Sequence, residues 1–366
     1  MKLRLAKLAV GLWAAALLAS GCSSNLVSAT PTPVAYKACM SASPAGLSDG
    51  GLNQNAYFGL QQASVQYGVA ISATEASEIP SVGDYEQRIQ RLIKRGCNLI
   101  FAVGGNQNAA VYTKAQANPK VSFVLVDQPP YVLKTAMRST ASSNVQSLTY
   151  DTTIPAFQAG YLAAAHSAAK VVGVLSAAND KVAQAEAWYF MQGVERYNLD
   201  NPDAEVLVMG ASGPNPANWW ALAGSAGPKS VKLWVGHLLA LGADVVFPVG
   251  VNGLAATQQV ALNQGAVAIG SNSDWFNETR YATVKAAILA SVHKVVSQDI
   301  ANLVGEHLSQ SQSSATPSSV TTPVIAGQVK LSPQHGVDYG SATQGKLDDI
   351  AQQIAAGQIK VTPFTQ

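Results

Sequence analysis

The stretch from Leu47 to Leu60, LSDGGLNQNAYFGL, places two glycines and several amide side chains between an apolar run and a helix-like segment. Glycine lets the backbone approach a ligand closely. The side chains of Asn53 and Gln54 can both donate and accept hydrogen bonds. These residues therefore suit binding of a small polar molecule. Asn53 has an alternative role, because asparagine is also a preferred N-cap residue of helices.

The histidines give no indication of catalysis or metal binding. None belongs to a Ser/His/Asp arrangement, and together with the cysteines they show no metal-ligand spacing. They fall mainly in helix-like segments or in the C-terminal tail: His166, His237, His293, His307 and His335. We therefore expect neither a metal nor a cofactor. Nothing in these patterns supports an enzyme, and we expect the protein not to be one, although paired carboxylates elsewhere in the chain keep an enzyme as the alternative.

The composition argues against a nucleic-acid partner. The formal net charge is +2 and only 12% of the residues are charged. A nucleic-acid-binding surface needs clustered lysines and arginines. We expect the partner to be a small molecule instead.

The N-terminal residues predict export. Basic residues precede an apolar run from Leu8 to Leu18, and small residues then lead to Cys22, which is the layout of a signal peptide over residues 1–21. The segment is similar to the lipobox of bacterial lipoproteins, although Ala19 stands where that pattern prefers leucine. Cys22 is then the lipidated residue, and residues 22–34 form a flexible tether. A secretory signal with an incidental cysteine is the alternative.

Strand-like and helix-like segments alternate along the rest of the chain, and the alternation restarts after about residue 150. Apolar strands flanked by helices indicate parallel sheets that are covered on both faces. The sequence therefore predicts an α/β protein with two doubly wound, Rossmann-like lobes. Ligands of such sheets lie beyond the carboxyl ends of the strands. The pattern from Thr283 to Leu308 predicts one long helix.

Several segments, in order, resemble the basic membrane protein family, the nucleoside-binding lipoproteins of bacterial ATP-driven importers. The resemblance runs from about Ala38 to Pro363. It rests on the following stretches: DGGLNQNAYFGL, NVQSLTYDTTIPAFQAGYLAA, GADVVFPVGVNGL, AVAIGSNSDW, ILASVHK and AAGQIKVTP. Each segment alone is weakly specific, whereas the ordered set is specific.

The resemblance implies a type I periplasmic-binding-protein-like fold, in which crossover strands join two lobes that close on a ligand. On that basis we expect an N-terminal lobe of residues 35–148 plus about 277–308. The C-terminal lobe would comprise residues 149–276 plus about 320–366. The expected partners are a nucleoside-like ligand, an ABC transporter permease and, through Cys22, the lipid bilayer at the extracytoplasmic face of the cell membrane.

The resemblance also implies a set of ligand contacts. Lys294 matches a ribose-binding lysine, and Asp127 matches an aspartate after the fourth strand. Trp188, Trp275 or Tyr57 would supply the aromatic ring that the matched positions lack. The expected contacts are Ser43, Leu52, Asn53, Gln54, Asp127, Trp188, Gly250, Asn272, Asp274, Trp275 and Lys294. Asp127 and Lys294 have alternative interpretations as a turn residue and as an exposed helical lysine.

Three positions depart from the family pattern. Ser43 and Asn272 stand where the family has aspartates, and Leu52 stands where it has a stacking phenylalanine. These changes favour a ligand that offers more acceptors or that is less flat. The alternatives to nucleoside binding are a sensor or adhesin with a diverged cleft, and a binder of a sugar or flavin.

Cys39 and Cys97 lie beside strand-like runs. A disulfide between them is compatible with an exported protein. Two buried free thiols fit the sequence equally well, so the choice stays open at this stage.

Overall fold

A computed structural model describes residues 36–44, 46–49, 51–76, 81–104, 107–128, 143–178, 180–223, 226–312 and 324–365. Residues Pro33–Gln366 form one compact unit. Its first half contains strands β1 (Lys37–Ser41), β2 (Ala70–Thr74), β3 (Leu99–Val103), β4 (Ser122–Val126) and β5 (Val145–Thr149). The helices of this half are α1 (Leu52–Tyr67), α2 (Val82–Lys94) and α3 (Asn108–Ala117).

The second half repeats the alternation of strands and helices. Its strands are β6 (Val171–Ala178), β7 (Leu207–Met209), β8 (Ala221–Ala223), β9 (Val245–Val249), β10 (Val267–Asn272), β11 (Ile288–Lys294), β12 (Val324–Ala326) and β13 (Val329–Leu331). Its helices are α4 (Thr153–His166), α5 (Lys181–Asp200), α6 (Pro228–Ala240), α7 (Gly253–Val260), α8 (Val296–Gln312) and α9 (Ser341–Ala355).

The strands form two sheets. The first has the order β12-β5-β4-β3-β1-β2 and is parallel. The second has the order β13-β11-β10-β9-β6-β7, with β8 paired to β6, and only β13 runs antiparallel to its neighbour. In each sheet the winding direction reverses once, between β1 and β3 and between β6 and β9. This confirms the predicted architecture of two doubly wound α/β lobes.

Helices cover both faces of each sheet, which is why the strands consist largely of buried apolar residues. Helices α1 and α8 pack on one face of the first sheet, and α2 and α3 pack on the other. In the second lobe α4, α5 and α9 share a core, and α6 and α7 cover the opposite face. Helices α4 and α5 pack at Gly160 and Gly193, where an added Cβ would lie about 2 Å from a carbonyl oxygen of the partner helix.

The described chain passes between the lobes at three places, at Tyr150, at Val295 and at Gly327–Gln328. Backbone hydrogen bonds hold these crossovers together. The amide of Val295 donates to the carbonyl of Gln328 at 2.9 Å, and the amide of Gly327 donates to the carbonyl of Thr149 at 2.7 Å. The carboxyl ends of the two sheets can therefore face each other next to this connection.

The prediction of a single helix from Thr283 to Leu308 is wrong in its first half. Residues 288–294 form strand β11, which pairs with β10, and helix α8 starts only at Val296. Residues 277–294 therefore lie with the second sheet, whereas the sequence placed them with the first lobe. The apolar run from Ile288 to Val292 is buried on both sides in the sheet, and such a run fits a central strand as well as a buried helix.

Cys39 and Cys97 form a disulfide, which resolves the choice that the sequence left open. Cys39 lies in β1, and Cys97 lies two residues before the start of β3, the neighbour of β1 in the sheet. Their Cα atoms are 6.0 Å apart, within the usual range for a disulfide. Both side chains are buried beneath α2 and α3.

The expected signal peptide, the tether and Cys22 lie outside the described residues. Within the described part of the chain, no helix is both long enough and apolar enough to cross a lipid bilayer.

Candidate functional site

Polar side chains from both lobes converge at the carboxyl ends of the parallel strands. Asp127 follows β4 in the first lobe, and Lys294 ends β11 in the second. The Nζ atom of Lys294 donates to Oδ2 of Asp127 at 2.8 Å. The structure therefore brings together two predicted ligand contacts that are 167 residues apart in sequence, and this ion pair links the lobes directly.

Both partners of this ion pair lie in special positions. Lys294 is 2% exposed, so it is not a solvent-facing helical lysine. Asp127 has a φ angle of 58°, in the left-handed region that aspartate tolerates better than most residues. Burying an ammonium is costly unless its charge is paired. The pair is therefore built into the fold and is not an incidental surface contact.

Glu186 on α5 is a third charged group at this place, and the sequence interpretation missed it. It is 1% exposed. Its Oε1 accepts a hydrogen bond from Oγ of Ser271 at 2.7 Å, and its Oε2 lies 3.8 Å from Nζ of Lys294. The available signal was an acidic residue on the apolar face of α5 that also carries Ala183, Ala187 and Phe190.

Glu186 and Lys294 have shifted pKa values in the trio that they form with Asp127. Burial raises the pKa of Glu186 to about 7, although Lys294 and the Ser271 hydroxyl oppose the shift. Burial alone would lower the pKa of Lys294, but the neighbouring carboxylates of Asp127 and Glu186 outweigh it, so its pKa is raised. Lys294 is therefore charged at neutral pH, and Glu186 can exchange a proton there.

In the first lobe the amide of Asn53, which was expected to contact the ligand, is hydrogen-bonded within the protein. The Oδ1 of Asn53 accepts from the backbone amide of Ser43 at 3.0 Å, and its Nδ2 donates to Oγ of Ser43 at 2.8 Å. These two predicted site residues thus bind each other. The side chain of Asn53 is not the helix cap, because α1 has Gly51 as its N-cap residue.

Asp49 caps α1 instead. Its carboxylate accepts from the backbone amides of Gly51, Asn53 and Gln54 at 2.7–3.1 Å. Gln54 is half-buried in the first turn, and Leu52 packs against the first-lobe core. A guanidinium from the second lobe also reaches this loop, since Nη1 of Arg280 donates to the carbonyl of Asp49 at 3.0 Å.

Two further predicted residues end strands of the second sheet in left-handed conformations. Gly250 follows β9 with a φ of 69°, and Asn272 ends β10 with a φ of 70°. A Cβ on Gly250 would lie 2.7 Å from the Cβ of Ala183 and 2.8 Å from that of Ala177. Glycine is therefore required where β9 approaches β6 and the start of α5, at the reversal point of the second sheet.

The structure does not bring Trp188, Asp274 or Trp275 to the trio. Trp188 is two residues from Glu186 on α5, so it lies about 200° around the helix, and its Nε1 donates to the carbonyl of Thr362. Trp275 is buried and stacked on Tyr281 with ring centroids 4.9 Å apart. Asp274 bonds to Nε2 of His335 at 2.9 Å.

A cavity of about 390 Å³ lies elsewhere, between the start of α4, strand β13 and helix α9. Asp151, Lys330 and Asp348 line it, and each is exposed. The candidate functional site is the one at the carboxyl ends of the strands, because buried and partly buried polar groups of both lobes meet there. Among the described residues no group of three His, Cys, Asp or Glu side chains is placed to hold a metal ion.

Comparisons with known proteins identify the family of the chain. A family model described as "ABC transporter substrate-binding protein PnrA-like" matches residues 36–316. The "ABC transporter nucleoside-binding protein BmpA" of Lactococcus lactis is 29% identical over 173 residues, which cover 46% of either chain. The chain thus spans about half the length of this curated relative.

Solved structures share the fold. An ABC transporter solute-binding protein from Aeropyrum pernix has a TM-score of 0.70 and 16% identity, covering 90% of this chain and 94% of the other. A solute-binding protein from Conexibacter woesei has a TM-score of 0.62 and 16% identity, covering 90% and 100%. A transcriptional activator of the comK gene from Bacillus halodurans has a TM-score of 0.62 and 20% identity, covering 89% and 100%. The fold is that of type I periplasmic binding proteins.

Proposed function

Because the chain belongs to the family of PnrA-like ABC transporter substrate-binding proteins, we propose that it captures a nucleoside-like ligand between its lobes and presents it to an ABC importer. The family consists of binding proteins and not of enzymes. The observation that carries the proposal is the Asp127–Lys294 pair, which joins the carboxyl ends of both sheets at 2.8 Å. A ligand held at this place would contact both lobes at once.

The chemistry of the trio suits a sugar diol. An ionised carboxylate accepts hydrogen bonds only, so Asp127, and Glu186 in its ionised form, can each accept hydrogen bonds from hydroxyl groups. The Lys294 ammonium has three donors, and Asp127 accepts one of them. Its remaining donors can bind hydroxyl oxygens. Vicinal hydroxyls of a ribose would thereby recover the hydrogen bonds that they lose with water, and the nucleoside-binding relative supports this ligand class.

Binding would be coupled to closure of the lobes. Asp127 belongs to the first lobe, whereas Lys294 and Glu186 belong to the second. When the lobes separate, Lys294 loses Asp127 but keeps Glu186, so the second lobe retains a paired ammonium. Contacts to both lobes stabilise the closed form, and only differential contacts of this kind can drive closure.

The proposed location is the extracytoplasmic face of the cell membrane. The charged, apolar and small-residue layout before Cys22 supports a lipoprotein signal peptide and a palmitate-bearing anchor in the bilayer. The Cys39–Cys97 disulfide supports folding in an oxidising compartment. The remaining partner would be the permease of the importer.

A thermal-shift panel tests the proposed function. Ribonucleosides should raise the melting temperature by several degrees, because a ligand at 100 times its Kd stabilises the folded state by about 2.7 kcal/mol. The matching 2′-deoxynucleosides should stabilise less, since they lack one hydroxyl of the diol.

The same panel includes free sugars and riboflavin as controls for the ligand class. Sugars and flavins are the second candidate ligands. They are favoured because Leu52 stands where the family has a phenylalanine ring and because Trp275 is buried in the second-lobe core. Stabilisation by a sugar or flavin alone would replace the nucleoside. No stabilisation by any of these compounds would contradict a transport role and leave a sensor or adhesin.

A further inference from the structure

Two buried glutamines of the first lobe, Gln107 and Gln128, have amide oxygens that no described residue satisfies. Gln107 precedes α3 and is 0% exposed, and Gln128 follows Asp127 and is 5% exposed. The Oε1 atom of each is buried without a hydrogen-bond partner in the described part of the chain. A buried polar atom left in this way costs free energy, so a native structure normally provides it with a partner.

The orientation of both amides follows from their neighbours. The Nε2 of Gln107 donates to the carbonyls of Ser41 and Val103 at 3.0 and 2.8 Å. The Nε2 of Gln128 donates to the carbonyl of Gly104. A carbonyl accepts and cannot donate, so exchanging the amide nitrogen and oxygen would place two acceptors against each other. Both Oε1 atoms must therefore face away from these carbonyls.

These glutamines lie at the point where the first sheet reverses direction. Ser41 ends β1 and Val103 ends β3, and Gln107 bridges these two strands. In doubly wound sheets the ligand crevice lies at this reversal, outside the carboxyl ends of the strands. Asp127 is adjacent to Gln128 in sequence and contacts Lys294 of the other lobe. The two amide oxygens thus belong to the same edge as the interlobe ion pair.

The edge therefore offers acceptors in excess of donors. Gln107 and Gln128 each contribute an amide oxygen that can only accept and that has no partner among the described residues. We propose that this edge accepts hydrogen bonds from an exocyclic amino group on the base of the ligand. Nucleosides with such an amino group would then bind in preference to those with a keto group at the same position. The proposal rests on the nucleoside-binding function proposed above and adds the chemical class of the base.

The physical reason is the asymmetry between an amino group and a carbonyl group. An amino group supplies two N–H donors to the Oε1 atoms of Gln107 and Gln128. A carbonyl at the same ring position is a further acceptor and leaves both Oε1 atoms without a partner. A site built to bind a donor discriminates strongly against an analogue that lacks it. This preference for donors on the ligand is opposite to the preference for acceptors that the sequence changes at Ser43 and Asn272 indicated. At Ser43 the earlier inference does not apply, because its backbone amide and its hydroxyl are both hydrogen-bonded to Asn53.

Calorimetric titration of the full-length chain with two matched pairs, adenosine with inosine and cytidine with uridine, tests the proposal. Within the pair that fits the cleft, we expect the amino-bearing nucleoside to bind about tenfold tighter or more. Gln128→Met should reduce this ratio toward one while both affinities stay measurable. Gln158→Met is the matched control, since Gln158 also donates to a backbone carbonyl, that of Leu347, outside the site; it should leave the ratio unchanged.

The outcomes separate this inference from the function on which it rests. Equal binding within both pairs, or tighter binding of inosine or uridine, would overturn the amino-group preference and leave the nucleoside-binding function in place. An unchanged ratio in a folded Gln128→Met variant would overturn the assignment to Gln128. Binding of none of the four nucleosides would contradict the proposed function itself.

Discussion

At the scale of single residues, the site depends on two buried charged groups, Lys294 and Glu186, and on the partly buried Asp127. Lys294 keeps its charge because Asp127 and Glu186 oppose the cost of burial. Glu186 has a pKa near 7 because it is fully enclosed. One ammonium faces two carboxylates, so the protonation of Glu186 decides whether the trio carries an excess negative charge.

Glu186→Gln should change how stability depends on pH. The folded-state pKa of Glu186 is raised from 4.5 to about 7, so its stabilising contribution is complete below pH 4.5 and is lost as the pH rises through 7. The variant lacks this loss. Between pH 4.5 and 8 the variant should therefore become more stable relative to the wild type, with a gain of about 1–3 kcal/mol in the difference between their free energies of unfolding.

Urea unfolding at a series of pH values measures this effect. Glu195→Gln on the exposed side of the same helix is the control and should follow the wild-type pH profile. A constant difference between Glu186→Gln and the wild type across this pH range would show that Glu186 ionises normally in the folded protein.

Single residues also show the limits of the sequence interpretation at the site. Asp127 and Lys294 were predicted as site residues, and they meet, but their distance could not be read from positions 167 residues apart. Glu186 was overlooked because a glutamate within a helix normally lies at the surface. Trp275 was expected to face the ligand, whereas the packing of its ring on Tyr281 encloses it in the second-lobe core. Side-chain direction beyond a strand end depends on tertiary packing that the local sequence does not encode.

At the scale of elements, local patterns predicted the strands and helices of the first lobe well. Buried apolar runs such as β3 and β4 end at polar or glycine positions, and helix α2 has a capping box in which Ser81 and Asp84 bond reciprocally. Strand β11 was misassigned because alanines and lysines in its neighbourhood favour a helix. Its conformation is decided by pairing with β10, a tertiary contact that the local sequence pattern does not show.

The disulfide between β1 and the start of β3 should stabilise the first lobe. It closes a loop with a sequence separation of 58, for which chain-entropy arguments give about 4 kcal/mol as an upper value. The double variant Cys39→Ala/Cys97→Ala should therefore lose about 2–4 kcal/mol in free energy of unfolding. Chemical denaturation under non-reducing conditions measures the loss.

Denaturation in the presence of a thiol reductant provides the control for this comparison. The reductant should destabilise the wild type once the buried bond is reduced, and it should leave the double variant unaffected. Equal stability of the wild type and the double variant without reductant would contradict a stabilising role of the disulfide.

At the scale of the whole molecule, the fold places two independent contacts between the lobes on the side where the carboxyl ends face each other. The Asp127–Lys294 pair has a buried lysine and a nearly buried aspartate, and the hydrogen bond from Arg280 to the carbonyl of Asp49 lies nearer to solvent. The crossovers at Tyr150, Val295 and Gln328 connect the lobes beside them. This arrangement allows a ligand between the lobes to control their closure.

The central claim is that Asp127 and Lys294 act together on a ligand between the lobes. The measurement that tests it most directly is a double-mutant cycle on adenosine affinity with Asp127→Asn and Lys294→Met, each checked for an intact fold by its melting curve. Lys346→Met, which removes a lysine paired with Asp200 at the second-lobe surface, is the control and should bind normally.

We predict that each single variant of the pair loses about tenfold or more in affinity, and that the double variant loses less than the product of the two single losses, with a coupling of about 1 kcal/mol or more. Wild-type affinity in both single variants, or losses that simply multiply in the double variant, would contradict a shared binding site between the lobes.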